Sequence, residues 1–147
     1  MIAALLLAST IYTSDDLDIL AEAIYFEARS EVIACQIIVA QTITNRVRQS
    51  RFKDSIREVV YQKKRTPSGK WVCQYSYYCD GKPDVMRDFK AKLKSYQVAS
   101  LVLNNEVLDL SEGADHYYAH RIVTPRWHDH MQDSYICGDH TFGRLEW

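Results

Sequence analysis

The chain has 147 residues, 47% of them apolar and 25% charged, enough for one domain with a sizeable core. Its net charge is -1, with no basic block and no run of Arg and Lys interleaved with aromatics along a face, so the charge balance argues against nucleic acid as a partner. Aromatics make up 12%, led by ten Tyr, which suits a carbohydrate-facing groove and equally a half-buried α+β core.

Residues 1–14 open with an apolar run, Met-Ile-Ala-Ala-Leu-Leu-Leu-Ala, with no Lys or Arg ahead of it. A secretory peptide wants a positive start and a longer apolar stretch, and a membrane span needs roughly 20 apolar residues. The segment reads as packed on the domain, with a trimmed export signal or a weak anchor left open. Membrane association is expected to be weak at most, and residues 15–147 read as a single domain.

Thr13 or Ser14 followed by Asp15, Asp16 and Asp18 supplies an N-cap and an acidic first turn. A helix is therefore expected from about Asp15 to Arg29. At about 100° per residue, Leu17, Leu20, Ala21, Ile24 and Ala28 form one apolar stripe, and Glu27 lies at its edge. A carboxyl there is partly desolvated, which raises its pKa and holds the proton that a general acid must deliver. An edge-of-core Glu reaching water is the duller alternative.

From Val32 to Val47 the sequence is apolar on nearly every side, which predicts a central, surrounded helix. Helical spacing recurs over residues 52–62, and Thr66-Pro67-Ser68-Gly69 interrupts it as a turn. Trp71 to Gly81 is aromatic and reads as a structured loop of the kind that carries binding groups. The four Cys (35, 73, 79 and 137) permit three pairings. Cys73 and Cys79 enclose a loop short enough to be stapled, worth about 2 kcal/mol by chain entropy and implying a compartment outside the reducing cytosol. Cys35, in an apolar run, reads more readily as a buried free thiol than as a partner for Cys137.

Asp84 to Asn104 returns to helical spacing, with Lys90, Lys92 and Lys94 on the wet side. After Gly113 the pattern shortens: His116 to Ala119, Ser134 to Ile136 and Phe142 read as short strands joined across Pro125-Arg126-Trp127. The fold class is thus α+β, mostly helical with a small C-terminal antiparallel β element. All five His lie between positions 116 and 140, which raises a zinc site. The pair His116 and His120 is written in strand-like sequence, where residues four apart stand about 13 Å apart, and no H-E-x-x-H occurs. No metal and no cofactor is expected.

Four pieces occur in order: Ala-Ile-Tyr-Phe-Glu27-Ala-Arg-Ser-Glu31; Gln36 to Val47, ending Thr-Asn45-Arg46-Val47; Cys73-Gln74-Tyr75-Ser76 with Cys79-Asp80-Gly81; and Gly113-Ala-Asp-His116-Tyr117-Tyr118-Ala with Pro125 and Trp127. Over about residues 17–144 this resembles the SleB-type cell-wall hydrolases, which include spore-cortex-lytic and phage enzymes. The resemblance implies a lysozyme-like fold and a monomeric catalytic domain acting on bacterial peptidoglycan glycan strands. The implied activity is cleavage of the MurNAc–GlcNAc β-1,4 bond, typically as a lytic transglycosylase leaving a 1,6-anhydro sugar. It implies action in the cell wall or periplasm or after secretion, or, for a phage endolysin, after release from the host cytoplasm at lysis. Glu27 matches the catalytic acid. Ser30 stands where the pattern usually has Gly and Tyr118 where His is common, departures that bear on subsites more than on the reaction.

Around Glu27 the other candidates are weighed by chemistry. Glu31, at i+4 on a continuous helix, would lie with its Cβ about 6 Å from that of Glu27 and raise its pKa as a like charge; a helix ending at Ser30 would leave it exposed or structural. Gln74 and Ser76 offer an amide and a hydroxyl for the acetamido and hydroxyl groups of a sugar, and Tyr78 adds an aromatic face to the same loop. Of His116 and Tyr117, strand alternation sends one to the cleft, with Tyr117 suited to orienting Glu27. Alternative readings are a hydrolytic muramidase with a second carboxylate, a zinc amidase or endopeptidase, and a non-catalytic glycan-binding or virion module.

Overall fold

The computed structural model describes residues 11–146, so the expectation for the apolar N-terminal run falls almost wholly outside the described residues. Helix α1 (Ser14–Ala28) begins where its cap predicts. The Asp16 N–H donates to Thr13 Oγ1 at 3.2 Å and the Thr13 N–H to Asp16 Oδ2 at 2.9 Å, closing a reciprocal box. Helix α2 (Ile33–Val47) is buried all round from Cys35 to Thr44 as its composition requires, Gln36 and Thr42 included, with Arg46 buried beyond. The break between the two at Arg29–Val32 takes Glu31 off the α1 axis, so it is not an i+4 neighbour of Glu27 on a continuous helix.

Helix α3 spans only Ile56–Val60, started by Ser55, whose Oγ accepts from the Glu58 N–H at 3.1 Å. Helix α4 (Phe89–Leu103) starts five residues later than its spacing suggests, because Asp88 is the residue that caps it, accepting from the Ala91 N–H at 3.1 Å. The four helices enclose one apolar core in which Leu20, Ile24, Ile43 and Val59 are almost completely buried, each burial contributing about 1.5–3 kcal/mol. A second cluster, Ala28, Ile38, Val39, Ala114 and Phe142, joins α1 and α2 to the C-terminal sheet. Among the described residues no helix is long and apolar enough to cross a membrane.

Residues 63–73, expected as a turn running into a loop, form an antiparallel hairpin, β1 (Lys63–Arg65) with β2 (Trp71–Cys73). Its turn closes through Thr66 N–H to Lys70 O at 2.8 Å, with Gly69 at φ +86, a conformation that glycine adopts freely. A 3-10 turn, Ser76–Cys79, follows. Strand pairing also assembles what the linear sequence conceals: Lys63 Nζ and the Arg65 guanidinium lie 4.6 and 5.1 Å from the Trp71 ring centre. Basic and aromatic side chains do interleave along this face, contrary to the expectation from the linear pattern.

The C-terminal sheet has three antiparallel strands, β3 (His116–Ala119), β4 (Met131–Cys137) and β5 (His140–Leu145), in the order β3-β5-β4. The first two strands are joined through the segment containing Pro125-Arg126-Trp127, as expected, but do not pair with each other: each pairs with β5, bringing both Tyr117 and Tyr135 opposite Phe142. That connection, residues 120–130, is rich in turns.

Both disulfides form, Cys73–Cys79 and Cys35–Cys137. Cys35 is therefore not a free thiol. Its apolar setting follows from α2 packing against the sheet, with Cα atoms 5.6 Å apart, within bridging reach. Beside it, Glu31 clasps the β4–β5 turn: Glu31 Oε1 accepts from the Asp139 N–H at 3.0 Å, and a Cβ on Gly138 (φ +60) would come within 1.9 Å of Glu31 Oε2. A larger residue there would displace that carboxylate and be strained at this positive φ.

Candidate active site

Where α1, the 74–76 segment and β3 converge, a groove of about 350 Å³ opens, with Glu27 in its lining. Glu27 sits on the last turn of α1, held by the buried Ile24 and Ala28 beside it. Burial raises its carboxyl to about 7, against a smaller lowering from the Tyr117 hydroxyl. The proton is thereby retained close to neutral pH while remaining transferable, the condition for a general acid.

Tyr117 reaches the groove from β3, with its ring edge-on to His140 (5.2 Å) and tilted against Phe142 (5.3 Å). Its hydroxyl faces Glu27, and burial, followed by the Glu27 charge, raises its pKa well above 10, so it acts as a neutral donor. Neither the Tyr117 nor the Tyr75 hydroxyl completes a full hydrogen bond within the protein. Tyr117→Phe is expected to lower kcat about tenfold and to move the alkaline limb of the pH profile upward, because Glu27 loses the interaction that lowers its pKa; an unmoved limb would contradict this coupling.

Gln74 and Ser76 line the groove as expected. Their segment is fixed from beneath by Glu22, whose Oε1 accepts from both Tyr61 and Tyr77 hydroxyls at 2.9 Å, while Phe26 stacks on Tyr77 at 4.8 Å. Glu22 therefore ties the segment after Gln74 to the helix that carries Glu27. On the opposite side, Tyr118, Ile122, Pro125 and Trp127 form the wall, with Trp127 edge-on to Tyr118 at 5.7 Å.

Three sequence candidates stand elsewhere. Tyr78 stacks on Tyr61 at 4.3 Å and does not line the groove. His116, on the opposite face of β3 from Tyr117, is buried with Nδ1 2.8 Å from Asp115 Oδ1; burial lowers its pKa, opposed by Asp115. It braces the wall from behind, edge-on to Trp127 at 5.2 Å. Glu31 approaches His140 Nδ1 at 3.3 Å, and Glu27 is raised by burial with no contribution from Glu31. Glu31 is thus a structural clasp rather than a tuning charge.

Asp115 is a hub beneath the site. Burial pushes its carboxyl up, but hydrogen bonds from His116, the Leu145 N–H and Gln49 outweigh this and leave it at about 2; Arg51 also pairs with it. The Asp115 carbonyl accepts from Arg46 Nε at 2.6 Å, aiming a buried guanidinium into the groove lining. Arg46, Tyr75 and His140 are lining residues that the sequence reading missed. An arginine in an otherwise apolar helix was the available signal for the first. The five His do not gather: His120 meets Thr141 and His128 the Pro125 carbonyl, and among the described residues no three His, Cys, Asp or Glu side chains are grouped to hold a metal.

No curated protein matches the chain significantly. Two solved structures share the fold: the catalytic domain of the germination-specific lytic transglycosylase SleB from Bacillus anthracis (21% identity, TM-score 0.69, covering 92% of this chain and 98% of that one) and the catalytic domain of the Bacillus cereus SleB protein (22%, TM-score 0.66, 92% and 94%). The family described as Cell Wall Hydrolase matches residues 30–143, beginning just after Glu27 and taking in the 74–76 segment, β3 and the groove wall. With more than half of its length so matched, the chain belongs to the cell wall hydrolase family.

Proposed function

We propose that the protein cleaves the MurNAc–GlcNAc β-1,4 bond of peptidoglycan as a lytic transglycosylase, with Glu27 as its single acid and base. The observation that carries this reading is that Glu27 is the one carboxyl in the groove lining, and that burial holds it protonated to about 7. A hydrolytic muramidase needs a second carboxylate about 5 Å away or farther, and the groove offers none among the described residues. MurNAc supplies its own nucleophile instead. Glu27 gives its proton to the glycosidic oxygen as the C1–O bond breaks. The C6 hydroxyl of the same sugar then bonds to C1, and its proton passes to the Glu27 carboxylate. The acid is regenerated, no water is consumed, and a 1,6-anhydro ring remains.

In this reading Tyr117 orients Glu27, Gln74 and Ser76 hold acetamido and hydroxyl groups, and Trp127 flanks the sugar. The same solved structures, one of them described as a lytic transglycosylase, support the assignment. The two disulfides support action outside the reducing cytosol, at the wall. Mass spectrometry of fragments released from purified sacculi tests the proposal: anhydro-muramyl ends are expected, whereas reducing MurNAc ends assign a muramidase and freed peptides an amidase or endopeptidase, either of which would overturn it.

A further inference from the structure

The β1–β2 hairpin carries a dense cluster of basic residues. Lys63, Lys64, Arg65 and Lys70 fall within eight residues, and no Asp or Glu occurs between Glu58 and Asp80. All four are exposed, and none makes an ion pair among the described residues. Trp71 holds Lys63 and Arg65 over its ring, fixing their direction without cancelling their charge. In a protein of net charge -1, this cluster of unneutralised cations adjoins the groove. A side notch of about 140 Å³ is lined by Lys63, Lys64, Val72 and Gln74, and Gln74 also lines the groove that contains Glu27. The hairpin is tied to that junction by the Gln74 N–H, which donates to Gln62 O at 2.9 Å.

We infer that this hairpin is a docking arm for the stem peptide of the glycan strand, binding its free carboxylates while the sugar lies in the groove. The inference rests on the glycan reading above and names the part of the substrate it leaves open. Stem peptides leave the strand sideways from MurNAc, the sugar whose bond is cut, and they carry carboxylates. A cationic notch one residue from the acetamido-binding segment meets both requirements of position and charge. Lys63 and Arg65, two apart on one strand, project on the same side about 7 Å apart, which suits a ligand with more than one carboxylate.

Binding rather than turnover is the direct test. Protein carrying Glu27→Gln is titrated onto sacculi stripped of phosphate polymers, either with stems intact or after their removal by an amidase and capping, as a neutral amide, of the lactyl carboxylate that this cleavage frees on MurNAc. Stem removal is expected to weaken binding about tenfold, and the triple change Lys63→Gln, Lys64→Gln, Arg65→Gln to erase that difference while leaving affinity for bare strands unchanged. Raising salt from 50 to 500 mM on the otherwise unaltered Glu27→Gln protein should erode the stem-dependent part alone, a readout that holds even if the triple variant folds poorly. Equal binding to both substrates overturns the inference, as does an equal loss on both. Charge dependence confined to walls that retain their phosphate polymers also overturns it, since the partner is then that polymer. If wild-type enzyme releases no cut glycan, the glycosidase reading fails separately, and stem-dependent binding still decides this one.

Discussion

Glu27→Gln is expected to remove glycan cleavage, by at least 1,000-fold in kcat, and at the same time to make the protein more stable at alkaline pH. The first effect follows from losing the one carboxyl in the groove lining among the described residues, held protonated to about 7. The second follows from the direction of the shift. Folding raises the Glu27 carboxyl from 4.5 to about 7, so the folded state prefers its protonated form, and the preference is lost as pH rises through 7. Above that pH the wild type carries an ionised carboxylate in a desolvated site, a penalty of up to about 3 kcal/mol. Glutamine does not ionise. Urea unfolding at pH 8 should show the variant ahead by that order, and the gain should vanish by pH 4.5, where folded and unfolded wild type are both substantially protonated. A variant no more stable at pH 8 than wild type would mean that Glu27 is not desolvated, and the acid role would lose its physical basis.

Replacing Cys35 and Cys137 together by Ala is expected to cost about 4 kcal/mol of stability, against about 2 kcal/mol for the Cys73 and Cys79 pair. The contrast comes from sequence separation, 102 residues in one case and 6 in the other. Removing the long bridge releases the unfolded chain more, and it also frees the β4–β5 turn next to the Glu31 clasp and His140 in the groove lining. Catalysis should therefore fall with the long bridge, even at temperatures where the variant remains folded. Urea midpoints and turnover on sacculi for the two double variants check this; equal losses would show that the chain-entropy difference is offset in the native state.

What the residues revealed by themselves was what repeats along one element. The α1 stripe, its Thr13 cap and the edge position of Glu27 follow from spacing alone, as does the all-round burial of α2. Gln74, Ser76 and Tyr117 were also legible, since polar groups in a segment without helical spacing and alternation on a strand narrow the choice. The rest depends on partners far along the chain. Cys35 reads as a plain apolar residue until β4 is laid beside α2. Lys63, Arg65 and Trp71 form one surface only after the hairpin closes. His140 joins the groove lining because β5 lies between β3 and β4, and no local signal sets that order. Tyr78 and His116 misled for the converse reason: each has the right chemistry in the right segment, but one is taken up by Tyr61 and the other by Asp115.

The central position of β5 carries a consequence for biosynthesis. Strand β3, which holds Tyr117 toward Glu27, finds its sheet partner only in residues 140–145. A nascent chain emerging from the ribosome or a secretion channel, N-terminus first, has α1 and its acid long before that wall exists. The wall that sets Tyr117 against Glu27 therefore closes only after residue 145 has emerged.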